Sequence, residues 1–275
     1  NTKESVPQEV HYLTYVESLT FFGNSNTATK SITLEDDVCG LEYLKSLTVS
    51  AYGLSAISDN LVLLGDRLET LDLSSKNFNS VPSIITKENF PKLKSLNLIG
   101  NRRSVISDLR NAKDPVKYPD GIGLFFNTKD DNTLRRLFMW DNLEELRLSY
   151  NFIEGTLPDF EIGVDGVTGY SQADVEAFGG DTIQYLVNEG THIPKILPKM
   201  RKLCVNLNFF TGNLPEWVLY HPHLIEWDPE VLIYNQMEKG LNSEGKMVRF
   251  DNEPTNFDKY FEAFPKFKEK YELKD

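Results

Sequence analysis

Cysteine is nearly absent: Cys39 and Cys204 are the only two in 275 residues. That excludes a disulfide framework of the kind that staples small secreted domains. Histidine is scarce too, at four residues. His221 and His223 flank Pro222 with Glu226 and Asp228 nearby, short of the three or four convergent ligands a zinc site needs, so they read as structural. His11 and His192 carry no motif. Positive charge is in deficit, with 29 basic against 41 acidic residues and a net charge of -12. This argues against nucleic acid or an anionic membrane as a partner. No apolar run approaches the ~20 residues of a spanning helix. No Asn-x-Ser/Thr sequon occurs among the many asparagines, which disfavours a eukaryotic secreted ectodomain. There is no phosphate loop, dinucleotide fingerprint or nucleophile elbow. No metal, no cofactor and no enzymatic activity are expected, although a carboxylate pair for glycoside hydrolysis stays open among so many acids. The chain starts without Met and without a signal segment, and is expected to be a processed or trimmed form.

What is present is a repeat. Residues 143–158 read LEELRLSYNFIEGTLP, and residues 200–215 read MRKLCVNLNFFTGNLP. Both place apolar residues at positions 1, 4, 6, 11 and 15, Asn at 9, Gly at 13 and Pro at 16. Positions 4 and 6 alternate, so they point to one side of a short strand. One repeat alone cannot cover that side, so copies stack into a solenoid. The Asn is expected to turn inward and satisfy the backbone groups that the turn strips from water. The fold class expected is α/β: a leucine-rich repeat solenoid. A curved parallel sheet lines its concave face, with short helices, 3₁₀ turns and irregular segments on the convex face.

Repeats start at 16, 44, 68, 93, 143 and 200, with a broken seventh start at Leu224. Asn24, Asn101, Asn151 and Asn208 hold the Asn position; Tyr52 and Lys76 replace it in repeats two and three. The boundaries are an N-terminal cap over 1–15, repeats over 16–227, and a C-terminal capping region over 228–275. Two insertions fall at about 102–142 and 159–199. A short helix is expected over 133–140, and another after Ser171. VLIY at 231–234 reads as a strand, and Phe257, Phe261 and Phe264 sit at helical spacing. Four repeat steps of ~4.8 Å put Cys39 and Cys204 roughly 19 Å apart, whereas a disulfide needs Cα atoms within about 7 Å, so both thiols are expected free.

The sites between inward apolar positions should face solvent. They are Ser18, Thr20 and Phe22; Ser46, Thr48 and Ser50; Thr70, Asp72 and Ser74; Ser95, Asn97 and Ile99; Glu145, Arg147 and Ser149; Lys202, Cys204 and Asn206. This face is mostly small and polar through the middle, with larger groups only late, and offers few anchors of the Tyr, Trp or Arg kind. Ligand binding is therefore placed at Glu145, Arg147, Tyr150, Lys202 and Asn206. A glycan would need aromatic platforms, for which Tyr150, Tyr170 and Trp140 are the candidates.

The two best copies resemble the plant-type repeat ending N-x-L-x-G-x-L-P. The tail, with WDPEVLIYNQ and FDNEPTNFDKYFEAFPKFKEKY, resembles exported leucine-rich repeat proteins of gut Bacteroides. That resemblance implies a lipoprotein at the outer-membrane surface or a periplasmic protein. It implies a binding protein rather than an enzyme, and the concave sheet with its insertions is expected to bind a protein or peptide, with a glycan ligand or a structural spacer as alternatives. It supplies no functional residues.

Overall fold

A computed structural model describes residues 6–28, 30–78, 80–100, 133–151, 153–155, 157, 196–205 and 208–210. It gives backbone alone at 133–135, 154–155, 209, 236–237 and 247–248. Five strands of one sheet follow a first strand, β1 (Ser18–Phe22). Between them lie a short helix α1 (Ser25–Ala28) and the strand β2 (Ile32–Leu34). The chain continues through β3 (Ser46–Ser50), β4 (Leu54–Ile57), β5 (Thr70–Asp72) and β6 (Ser95–Asn97). Then come helix α2 (Thr133–Phe138), β7 (Glu145–Arg147), β8 (Glu154–Gly155), β9 (Lys202–Cys204) and β10 (Phe209–Phe210). Strands β1, β3, β5, β6, β7 and β9 form a six-stranded parallel sheet in that order.

The register is the one the period demands. Leu19, Leu47, Leu71, Leu96, Leu146 and Leu203 stand opposite one another across the sheet. From repeat two to repeat six, positions 1, 4 and 6 are wholly buried, in one continuous apolar cluster. A one-residue slip would turn that column to solvent, so burial fixes the pairing. The fold is a leucine-rich repeat solenoid. It adds an element the repeat template did not show: short parallel pairs after the turns, β2 with β4 and β8 with β10. Helix α2 lies where the 133–140 helix was expected, and Leu137, Phe138 and Trp140 are buried. Beyond the repeats, β11 (Gln236–Met237) pairs antiparallel with β12 (Met247–Val248). The segment 231–234, the tail phenylalanines, the second insertion as far as residue 195 and residues 211–235 lie outside the described residues. Cys39 and Cys204 are both free and buried. No helix among the described residues is long and apolar enough to cross a membrane.

Inward side chains close each coil. Asn208 donates from Nδ2 to the carbonyls of Val205 (2.8 Å) and Leu148 (3.0 Å). Its Oδ1 accepts the backbone N–H of Asn151 (2.9 Å) and Ile153 (3.2 Å) in the preceding repeat. Asn151 donates in the same way to Leu148 (2.7 Å) and Leu98 (2.8 Å). Both amides are fully buried, and each reaches its own and the preceding coil, so it ties two coils together. Lys76 fills the same position in repeat three and is also buried. Its Nζ donates to the Leu98 carbonyl and to Asn151 Oδ1 (2.7 Å), reaching from repeat three to repeat five. Tyr52 is buried at its Asn position.

Asn24 departs from the expectation. It is exposed, and its Oδ1 accepts the N–H groups of Asn26 (2.9 Å) and Thr27 (3.1 Å) at the start of α1. A helix opens there, so the amide is used as a cap. The inward role passes to Thr27, which is buried and donates to the Ala51 carbonyl at 2.7 Å. Gly23 is required at this point, since a Cβ would sit 2.1 Å from the Ala51 oxygen. Asn101 lies outside the described residues.

The residue before each inward position adopts the left-handed region in four successive repeats: Ala51 (φ 60), Ser75 (φ 54), Gly100 (φ 74) and Tyr150 (φ 59). This turn ends the strand and swings position nine under the sheet. Only Gly takes that conformation without steric cost.

Candidate functional site

The solvent face of the sheet carries two central columns set by the register. One runs Ser18, Ser46, Thr70, Ser95, Glu145, Lys202, and the other Thr20, Thr48, Asp72, Asn97, Arg147, Cys204. The side chains bond sideways between repeats. Ser50 meets Ser74 at 2.8 Å, and Asn97 donates to Asp72 at 2.8 Å. Ser95 donates to Glu145 Oε2 at 3.1 Å. Arg147 donates from Nε to Glu145 Oε1 at 2.7 Å, with Nη2 at 2.5 Å from the same oxygen. Lys202 Nζ stands 3.8 Å from it.

Three of the expected binding residues, Glu145, Arg147 and Lys202, are therefore brought into one network. Their side chains stay 25%, 34% and 35% exposed, which leaves them open to a ligand and held in place by one another. Tyr150 is half-buried at the left-handed turn that ends β7. Asn206 lies outside the described residues. Two of the residues expected at the surface are buried instead, Ser149 and Cys204. Burial raises the Cys204 thiol above its ordinary value, against the pull of Arg147 and Lys202. The thiol thus stays protonated and is a poor nucleophile. Trp140 is fully buried and is no platform for a sugar ring. It lies beneath a 200 Å³ depression lined by Lys87, Glu88, Pro91, Asp141 and Asn142, across which Lys87 and Asp141 pair at 3.1 Å. Tyr170 is outside the described residues.

The exposed aromatics are elsewhere. Among the described residues, the large apolar side chains left in solvent are Tyr12, Leu13, Tyr15, Phe22, Tyr43 and Leu63. All belong to the first two repeats or the segment before them. Tyr15 and Tyr43 precede the first apolar residue of repeats one and two, and their rings lie 5.6 Å apart at 36°. Tyr43 and Leu63 line a depression of 470 Å³ together with Cys39, Gly40, Glu42 and Arg67. Arg67 Nη2 donates to the Leu63 carbonyl at 3.2 Å. Burial, and next the charge of Asp36, push the Cys39 thiol up to about 11. The repeat template leaves the position before each repeat unconstrained, so it gave no reason to single out Tyr15 and Tyr43. The signal available was two tyrosines at equivalent places in adjacent repeats.

The strand edge beside these residues carries a column of alternating charge: Glu17, Lys45, Glu69, Lys94, Glu144, Arg201. Each of the first five carbonyls accepts two backbone N–H groups from the next repeat, as Glu17 does from Lys45 (2.8 Å) and Ser46 (3.0 Å). Lys45 pairs with Glu17 at 3.1 Å, and Lys94 with Glu69 at 2.9 Å. The Lys94 hydrogen bond holds the Glu69 carboxyl below its ordinary value, and Lys45 adds to this from the other side. Lys94 is raised by Glu69 and also by Glu144. Glu69 and Lys94 therefore each feel both neighbours.

Residues 142–160 match the family model described as Leucine Rich Repeat. No curated protein matches the chain. Among solved structures, the chain is similar to the leucine-rich repeat ectodomain of the plant membrane receptor kinase GASSHO1/SCHENGEN3 from Arabidopsis thaliana, in complex with Casparian strip integrity factor 2. The identity is 18% and the TM-score 0.39, over 78% of this chain and 21% of that one. It is similar also to the plant peptide hormone receptor RGFR1 in complex with RGF2, with 16% identity, TM-score 0.39, and 78% and 28% coverage. A plant ice-binding protein matches at 18% identity and TM-score 0.36, over 79% of this chain and 65% of that chain. The chain thus spans less than a third of the length of either receptor ectodomain.

Proposed function

We propose that this chain is a non-enzymatic binding module for a protein or peptide, exported and held at a bacterial cell surface or in the periplasm. One observation supports the binding surface: the Ser95–Glu145–Arg147–Lys202 network on the open face of a six-stranded sheet. The strands hold these charged groups in fixed register, so little side-chain freedom remains to be lost on association. Arg147 is of the residue type enriched at interface hot spots. The export reading draws on the resemblance of the repeats and tail to surface proteins of gut Bacteroides.

The test is selection of a displayed random-peptide library on the immobilised chain, followed by affinity measurement on Arg147→Ala and Lys202→Ala. Selected peptides are expected to lose at least about tenfold in affinity on the Arg147 variant. Peptides that bind both variants as tightly as the parent chain would remove the sheet face from consideration.

A further inference from the structure

We propose that the flank of repeats one and two bearing Tyr15, Tyr43 and Leu63 docks a basic polypeptide segment in which Arg or Lys alternates with apolar side chains. The proposal deepens the binding-module reading by naming a second surface and the chemistry of its partner.

Exposed apolar area comes first. Tyr15 is 81% exposed, Leu63 60% and Tyr43 49%, while every equivalent core position beneath them from repeat two onward is closed. Among the described residues the exposed large apolar side chains gather in this early part of the array, and such a patch marks an interaction site. Tyr and Arg are the side chains that dominate interface energetics, and Tyr43 and Arg67 line the same depression.

Charge selects the partner. Between residues 35 and 67 the chain has six acids, Glu35, Asp36, Asp37, Glu42, Asp59 and Asp66, against two bases, Lys45 and Arg67, and the Arg67 guanidinium is turned onto the Leu63 carbonyl. Lys45 is already paired with Glu17 at 3.1 Å. Asp36 is fixed by Ser58 and by Asn60 (3.1 Å), which binds the acidic turn to the next repeat. The field of Asp36 and Asp37 reaches the floor of the depression, because both raise the Cys39 thiol that lines it. Glu42 lines it directly. Two tyrosine rings beside a carboxylate form a site for a guanidinium or ammonium group, through the ring faces and the opposite charge together. Leu63 and the aliphatic stem of Arg67 offer contact to the apolar side chains between those cations.

The experiment is calorimetric titration at near-physiological salt with an amidated octapeptide that alternates arginine with leucine and tyrosine. The comparison probes are the same peptide with glutamate for arginine, octa-arginine, and a β-glucan oligosaccharide. The alternating peptide is expected to bind the parent chain best. The double variant Tyr15→Ser, Tyr43→Ser, which leaves net charge unchanged, should weaken it at least about tenfold, and Glu42→Gln should weaken it by a smaller factor. Glu145→Ala should leave it unaffected. Equal binding by octa-arginine would reduce the effect to attraction by net charge and overturn the proposal. So would binding only by the oligosaccharide, absence of binding, or a concentration-dependent mass of the chain that the tyrosine variant abolishes. Loss of binding on Glu145→Ala with retention on the tyrosine variant would overturn the flank as the site. That result would leave the sheet-face reading standing.

Discussion

Lys76 shows what a single position can demand. The repeat places an amide there, and this chain places an amine, on a residue that is 2% exposed. Burial holds that amine well below the ordinary lysine value of 10.5, with Asp72 pulling weakly the other way. The unfolded chain therefore binds a proton that the folded chain resists, so stability rises with pH between the lowered folded value and 10.5. Lys76→Met removes this slope while keeping the apolar stem. The parent chain should gain on the variant by up to about 1.4 kcal/mol per pH unit in that window, measured by urea unfolding from pH 7 to 10. A difference that stays constant over that range would show that Lys76 is charged in the fold. Sequence reading marked Lys76 as a departure from the template without showing that its amine would reach two coils onward. Asn24 misled for the opposite reason. The residue type fitted, but Ser25–Ala28 forms a helix that takes the amide as its cap, and Thr27 supplies the inward group. The left-handed turn at Ala51, Ser75 and Tyr150 was equally hidden, since none of the three is glycine.

At the level of elements, the strands were legible because their period is strict. Two copies of the template set the register for all six, and the inward leucine column follows from alternation alone. The candidate site was legible as an arrangement of side chains, in part. Glu145, Arg147 and Lys202 meet because parallel pairing in register puts equivalent positions side by side. The burial of Ser149 and Cys204 depends on neighbours that alternation does not specify. The column of alternating charge is a cross-repeat property, visible only once the repeats are stacked. Because Glu69 and Lys94 each feel both neighbours, exchanging them should not be neutral. The exchange would set a lysine at 69 beside Lys45 and a glutamate at 94 beside Glu144. The doubly exchanged chain should melt below the parent at low salt, and the gap should shrink at high salt as screening takes hold. Equal melting temperatures at low salt would mean isolated pairs.

Across the described residues, the molecule is one stack with two chemically distinct surfaces. Backbone ladders and inward amides make the stack rigid. The sheet face offers a polar network late in the array, and the early flank offers tyrosines beside carboxylates. Both surfaces depend on coils that cannot slide past one another, and Asn208 is where that coupling is densest, with four bonds shared between two repeats. Hydrogen exchange at the Asn151 and Ile153 amides tests it most directly, comparing the parent chain with the near-isosteric Asn208→Leu. Each orphaned buried group costs about 1–3 kcal/mol, and about 1.4 kcal/mol is tenfold in an opening equilibrium. The account predicts strong protection of both amides in the parent. It predicts exchange at least about tenfold faster in the variant, with the Leu47 and Leu71 amides unchanged. Rapid exchange of Asn151 and Ile153 in the parent chain itself would contradict the stacked, amide-closed coil.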